Sequence, residues 1–143
     1  MVSYDKITHL NFIQNTIKRM AENSLACKTW TITIFSALTV LFMSLKREFS
    51  DNFVFFIVIA AMILVFWVLD AWYLWMERLF RRLYDHIRRT DDAQVEDPYS
   101  MSFKCFIKEE QCVLRIMFSK STCLFYFPLI LILSLILLKL NRG

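Results

Sequence analysis

The sequence predicts an all-α integral membrane protein: three transmembrane helices with long cytoplasmic helical extensions, assembled as a homo-oligomer. Three observations carry that expectation. Of 143 residues, 57% are hydrophobic and only one is glycine, at position 143, whereas soluble domains are ~45–50% apolar with about 7% glycine. Three apolar stretches, 29–45, 53–76 and 122–140, approach the ~20 residues that cross a bilayer core. The segments between them are charged and repeat their apolar residues every three or four positions, the period of an amphipathic helix. A chain this short cannot enclose an aqueous path alone, so conduction through it requires several copies.

Residues 1–28 lack the early apolar core of a secretory signal and read as an amphipathic helix with Ser3 as N-cap. Ile7, Leu10, Ile13, Ile17, Met20 and Ser24 form its stripe, with Lys6, Lys18, Arg19 and Glu22 largely off it. No breaker separates it from the first span. It can run straight into the membrane, lie in the interface plane, or pack on another cytoplasmic helix, and packing is the favoured use.

The first span, 29–45, is short and threonine-rich. Thr29, Thr33 and Ser36 recur at helical spacing, which lets membrane helices approach closely or lines a narrow wet passage. Residues 49–52 form a short outer turn, with Ser50 or Asp51 as N-cap of the next helix.

From residue 53 the chain passes from membrane span to arginine-bearing stalk with no glycine or proline between. Two features stand out. Asp70 is an ionisable residue within the span, which is costly in a bilayer and marks a functional site by default. Trp67, Trp72, Tyr73 and Trp75 surround it as an aromatic belt, and Lys28 is its natural partner. Asp70 therefore reads either as one half of an Asp70–Lys28 tether or, with Thr29, Thr33 and Ser36, as part of a pore or gate. The second feature is Arg78, Arg81, Arg82, Arg88 and Arg89, with no lysine and one acid, Asp85, in that window. Arginine presents a planar fork that grips phosphate bidentately, as lysine does not. The bland reading is a positive anchor facing water and headgroups. The sharper one is an anionic ligand site, completed when several copies bring their stalks into a ring.

Residues 90–100 are an acidic linker, with Asp97 and Pro98 as N-cap and first residue of a further amphipathic helix over 99–121. The domains expected are thus 1–28, 29–76, 77–121 and 122–140. Pro128 kinks the first turns of the last span, and Lys139 snorkels to the far interface.

With three spans, 13 of the 17 Lys and Arg fall on the side shared by 1–28 and 77–121. Positive charge stays inside, so the N-terminus is expected in the cytoplasm and the C-terminus outside. Cys27, Cys105, Cys112 and Cys123 then lie in or near a reducing compartment. Cys105 and Cys112, even with His9 and His86, match no tight metal signature, so no metal and no cofactor are expected. The lone glycine excludes Walker and Rossmann phosphate loops, and no nucleophile–base set points to an enzyme.

Three segments carry a resemblance. They are Arg19-Met20-Ala21-Glu22-Asn23-Ser24 leading to Lys28; Phe66-Trp67-Val68-Leu69-Asp70-Ala71-Trp72-Tyr73-Leu74 with Glu77-Arg78-Leu79-Phe80-Arg81 and Leu83-Tyr84; and Met117-Phe118-Ser119-Lys120-Ser121 before Phe125-Tyr126-Phe127-Pro128. Together they resemble a family of small bacterial multi-span antiphage membrane effectors, nearest to the channel effectors of the Hailong system. The resemblance implies a homotetrameric ion channel in the bacterial inner membrane. It would be held closed by DNA oligomers from a partner nucleotidyltransferase and would open in abortive infection. It supplies no residue map, so the arginine assignment rests on charge alone. The alternatives are a non-conducting membrane anchor or adaptor that recruits a soluble partner, and a membrane-lysing toxin.

Overall fold

The structure is a computed structural model that describes residues 5–44, 49–90, 100–102, 107 and 112–142. Among the described residues there are four helices and no strand: α1 (Lys6–Ser44), α2 (Phe49–Arg89), α3 (Val113–Met117) and α4 (Lys120–Arg142). At 1.5 Å per residue, α1 and α2 are rods of about 58 and 62 Å, twice a bilayer core. Neither contains a glycine or proline to stop it. α1, the Phe53–Arg89 part of α2 and the Lys120–Lys139 part of α4 are each long and apolar enough to cross a membrane. Their outward faces carry large apolar side chains such as Val54, Leu64, Leu131 and Leu135. A patch of that extent is what lipid contact leaves uncovered.

Residues 6–44, taken from both expected segments 1–28 and 29–45, are one helix with no structural break at Lys28. Its N-cap is Asp5, whose carboxylate accepts the Ile7 backbone N–H at 3.1 Å and the Thr8 hydroxyl. Ser3, expected in that role, lies outside the described residues. The Thr8 hydroxyl, helped by backbone N–H groups, holds the Asp5 carboxyl below its ordinary range. A lowered folded-state pKa gives a contribution that is complete above the unfolded value, about 4. It is lost as pH falls through the lower folded value. Amide exchange at residues 6–10 is therefore expected to accelerate below about pH 4, and to be fast at neutral pH in Asp5→Ala. Unchanged protection in that variant would remove the cap.

α1 and α2 pack antiparallel in one register. Phe42 stacks on Phe55 with centroids 5.1 Å apart at one end, Lys28 meets Asp70 in the middle, and Lys6 Nζ donates to the Thr90 carbonyl at 2.5 Å at the other. That last contact puts an ammonium against the C-terminal end of α2, where the helix dipole is negative. Two apolar cores lie along this seam. One joins Ile13 to Phe80, Leu83 and Ile87; the other joins Phe35 and Phe42 to Phe56, Ile59, Ile63 and Trp67, and continues into Met117, Tyr126 and Leu133. Ile7, placed on the apolar stripe, is instead 72% exposed. Six residues at 100° each put it ~120° around the helix from Ile13. His9 takes the covered position instead, its Nε2 3.1 Å from the Ser100 carbonyl.

Helix α2 already includes residues 50 and 51, so neither Ser50 nor Asp51 precedes it as a cap. The long helix expected over 99–121 differs more. Ser100–Ser102 lie outside any helix, the five residues of α3 are a single short turn of helix, and a bend at Phe118 and Ser119 separates α3 from α4. Asp97, Pro98 and Cys105 lie outside the described residues. The corner is built by hydrogen bonds. The Met117 carbonyl, left unpaired where α3 ends, accepts both the Trp67 indole N–H at 2.9 Å and the Thr122 hydroxyl at 2.7 Å. Tyr126 stacks on Trp67, centroids 5.5 Å apart, and donates its hydroxyl to the Phe66 carbonyl at 3.2 Å. α4 continues through Pro128 as one helix.

Candidate functional site

Between the two apolar cores lies a buried polar knot. Asp70 on α2 is fully buried, and one of its oxygens, Oδ1, accepts the Lys28 ammonium at 2.7 Å and the Ser24 hydroxyl at 2.5 Å. Lys28 also donates to Ser24 Oγ at 3.0 Å, closing a triangle. Ser24 and Lys28 are four residues apart, so α1 presents both from one face. Thr31 and Cys27 on α1 and Tyr126 on α4 are further polar neighbours, so three helices contribute. The other Asp70 oxygen, Oδ2, has no hydrogen-bond partner among the described residues. Of the two readings of Asp70, this geometry is that of the tether.

Thr29, Thr33 and Ser36 are not part of the knot. All three hydroxyls donate back along their own helix, to the carbonyls of Leu25, Thr29 and Ile32 at 3.1, 2.9 and 2.7 Å. Thr33 and Ser36, with Ala37, Val40 and Ser44, floor a shallow groove on the outer face of α1. The four pore or gate candidates thus separate into a buried carboxylate and an outward hydroxyl stripe.

The arginines also separate. Arg81 is held by Glu77, one turn back, with Nη2 at 2.6 Å and Nε at 2.8 Å from the same oxygen. Arg88 lies 3.5 Å from Asp85, both exposed, a pairing of small worth in water. Glu77 stands one residue before the window that holds Asp85 as its single acid, so the stalk is less positive than its arginine run implies. Arg81 faces an open groove of about 600 Å³ between α1 and α2, shared with Gln14, Asn15, Lys18, Tyr84 and Asp85. Arg78 and Arg82, both half-buried, and exposed Arg89 follow a different face of α2. In a single chain the five guanidinium groups are strung over about 17 Å of helix rather than gathered in one pocket.

Three participants escape a reading of the sequence that starts from Asp70 and the arginines. Ser24 is detectable, because it stands one turn before Lys28 on the stripe that faces α2. Glu77 is detectable as the i−4 partner of Arg81. The placement of Tyr126 beside Asp70 needs the packing of α4, which no local pattern encodes. Among the described residues, no three His, Cys, Asp or Glu side chains converge as a metal site would require. Comparison with protein-family models, curated proteins and solved structures finds no match.

Proposed function

We propose that several copies of this chain form a membrane channel of the bacterial inner membrane, an antiphage effector held closed by a phosphate-rich nucleotide or DNA oligomer. The ligand binds Arg78, Arg81, Arg82, Arg88 and Arg89 in a cytoplasmic vestibule, with the N-terminus on that side. One observation carries the reading. α2 is a single unbroken helix that begins in an apolar stretch able to cross a membrane and ends in the arginines. A rod of that kind converts an event at the arginines into a displacement of the span. Only eight residues, about 12 Å of helix, separate Asp70 from Arg78. The existing partners of Arg81 and Arg88 are near neighbours on the same helix, and can give way to phosphate. The hydroxyl stripe Thr29, Thr33 and Ser36 faces outward from α1, free to line a path between copies.

Gating follows from differential binding, because a ligand with equal affinity for both states shifts nothing. Moving an equilibrium from 1:99 to 99:1 takes about 10⁴-fold preference, ~5.5 kcal/mol. Hydrogen bonds to charged groups contribute ~1.5–3 kcal/mol each, so a few arginine–phosphate contacts per assembly supply it. The partner that makes the ligand is a nucleotidyltransferase, and its loss opens the channel. Expression of this chain without that partner is expected to depolarise and arrest cells, read with a potential-sensitive dye. Normal potential and growth at verified membrane expression contradict the channel.

A second reading has its own observation. Ile7 and Phe12 on α1 are exposed far from the apolar half of the hairpin. A non-conducting anchor or adaptor would use these exposed side chains to recruit a soluble partner, and its expression would be harmless.

A further inference from the structure

The groove beside Arg81 has two walls, and only one of them belongs to the stalk. α1 contributes Gln14, Asn15 and Lys18, and α2 contributes Arg81, Tyr84 and Asp85, around an open volume of about 600 Å³. That is within the ~300–1,000 Å³ of small-ligand sites. Ala21 supplies only a methyl group at one end, which leaves the space between the helices unfilled there. The antiparallel register set by the Phe42–Phe55, Lys28–Asp70 and Lys6–Thr90 contacts brings Lys18 level with Arg78 and Asn15 level with Arg81. Lys18 and Arg81 therefore stand on opposite walls within about one turn of each other, ~5 Å along the axis. Both cations have capacity to spare. Lys18 lies 3.8 Å from Glu22 with both side chains mostly in water, a pairing of small worth. Glu77 engages Nε and Nη2 of Arg81, which leaves Nη1 for another acceptor.

The order of groups along the groove says what fits it. Lys18 and Arg81 stand toward the apolar run of α2, the Gln14 and Asn15 amides beside and beyond them, and Tyr84 and Asp85 at the far end. Two cations favour a phosphate at the first end, and Asp85 repels one from the other. Tyr84, half-buried, offers a ring on which a base can stack. Side-chain amides both donate and accept, and a carboxylate accepts, so the three polar groups match the edge of a base. An inorganic phosphate or a lipid headgroup would use the cations and leave the rest idle. We infer that the groove seats one nucleotide, its phosphate between Lys18 and Arg81 and its base on Tyr84. This rests on the proposed anionic ligand and deepens it. Lys18 joins the ligand site, while Arg78, Arg82, Arg88 and Arg89 take further phosphates of the same oligomer. The ligand then grips both long helices, so binding staples α1 to α2 and opposes any motion that slides one past the other.

The test is fluorescence polarisation of labelled single-stranded DNA of mixed sequence, titrated with the full chain in detergent. Lys18→Gln is expected to weaken binding roughly ten- to a hundred-fold, the worth of one hydrogen bond to a charged group, and to make its salt dependence shallower. The Lys18 side chain is 76% exposed, so its replacement leaves the fold intact. Arg19→Gln removes the same charge one residue away, outside the groove, and is expected to bind as wild type. A second measurement needs no variant. Abasic DNA of the same length is expected to bind wild type roughly ten-fold more weakly, because stacking on the ring is lost. Wild-type affinity in Lys18→Gln, equal losses in Lys18→Gln and Arg19→Gln, or equal affinity for abasic DNA each overturns the groove, and if Arg81→Glu/Arg82→Glu still weakens binding the arginine site survives. Absence of salt-dependent binding by wild type removes both.

Discussion

Lys28→Met is expected to destabilise the α1–α2 hairpin by about 3–5 kcal/mol, the cost of removing one partner from a buried ion pair. The asymmetry of the pair decides which member matters more. Asp70 is 0% exposed and cannot reach water, whereas the Lys28 side chain is 19% exposed at its edge. Removing the lysine strands a carboxylate between three helices with only the Ser24 hydroxyl to solvate it. Removing the charge in Asp70→Asn leaves an ammonium on a flexible stem that can swing toward solvent, so the destabilisation should fall at or below the lower end of that range. The double variant Lys28→Met/Asp70→Asn removes both charges and should recover most of the stability. Denaturant titration in mixed micelles, followed by helical circular dichroism, gives all four corners of the cycle. Additive effects of the two single changes would show that the contact contributes no coupling, and the tether would be discarded.

Arg81→Glu/Arg82→Glu is expected to weaken oligonucleotide binding by about 10²–10⁴-fold. Removing two charge-assisted hydrogen bonds from each chain costs ~3–6 kcal/mol. Wild-type affinity should also fall steeply with salt, because each phosphate neutralised releases a counterion. Reversing Arg81 leaves Glu77, only 13% exposed, without its partner and sets a second carboxylate one turn away. Helical circular dichroism of the double variant is therefore compared with wild type before binding is read, and Arg81→Gln/Arg82→Gln, which adds no negative charge, is expected to weaken binding in the same direction. An oligonucleotide affinity that is already absent in wild type, or insensitive to both salt and the charge reversal, removes the arginines from any ligand site.

The three helices long and apolar enough to cross a membrane are legible in the sequence because they depend on composition and on the near-absence of breakers, both local. Three apolar stretches and one glycine leave few alternatives to long helices. The meeting of Lys28 with Asp70 is legible for a related reason: in an antiparallel hairpin with a short turn, one polar residue in each arm at matching depth has nowhere else to go. Other features are hidden from local pattern. The segment 99–121 has the apolar periodicity of a helix, yet periodicity does not register the bend at Phe118 and Ser119. The bonds from Thr122 and Trp67 to the Met117 carbonyl, one made across 50 residues, hold the chain there. Ile7 repeats the apolar spacing of α1 but lies ~120° around the helix from Ile13, so it stays exposed although α2 extends to the level of Lys6. The arginine cluster reads as a block of charge only in a window that stops one residue short of Glu77. Charge patterns in a helix are set by neighbours three and four residues away on both sides, and the window has to include them.

The outward hydroxyl stripe on α1, the α2 rod and the arginines together make one functional claim, that an anionic ligand at one end of α2 closes a path between copies. Ion flux from proteoliposomes containing the purified chain, measured with and without added oligonucleotide, tests it most directly. The expected result is flux in the absence of oligonucleotide, salt-dependent suppression on adding it, and undiminished flux from Arg81→Glu/Arg82→Glu in its presence. No flux from correctly inserted protein under either condition contradicts the channel, and flux that oligonucleotide leaves unchanged contradicts the gate.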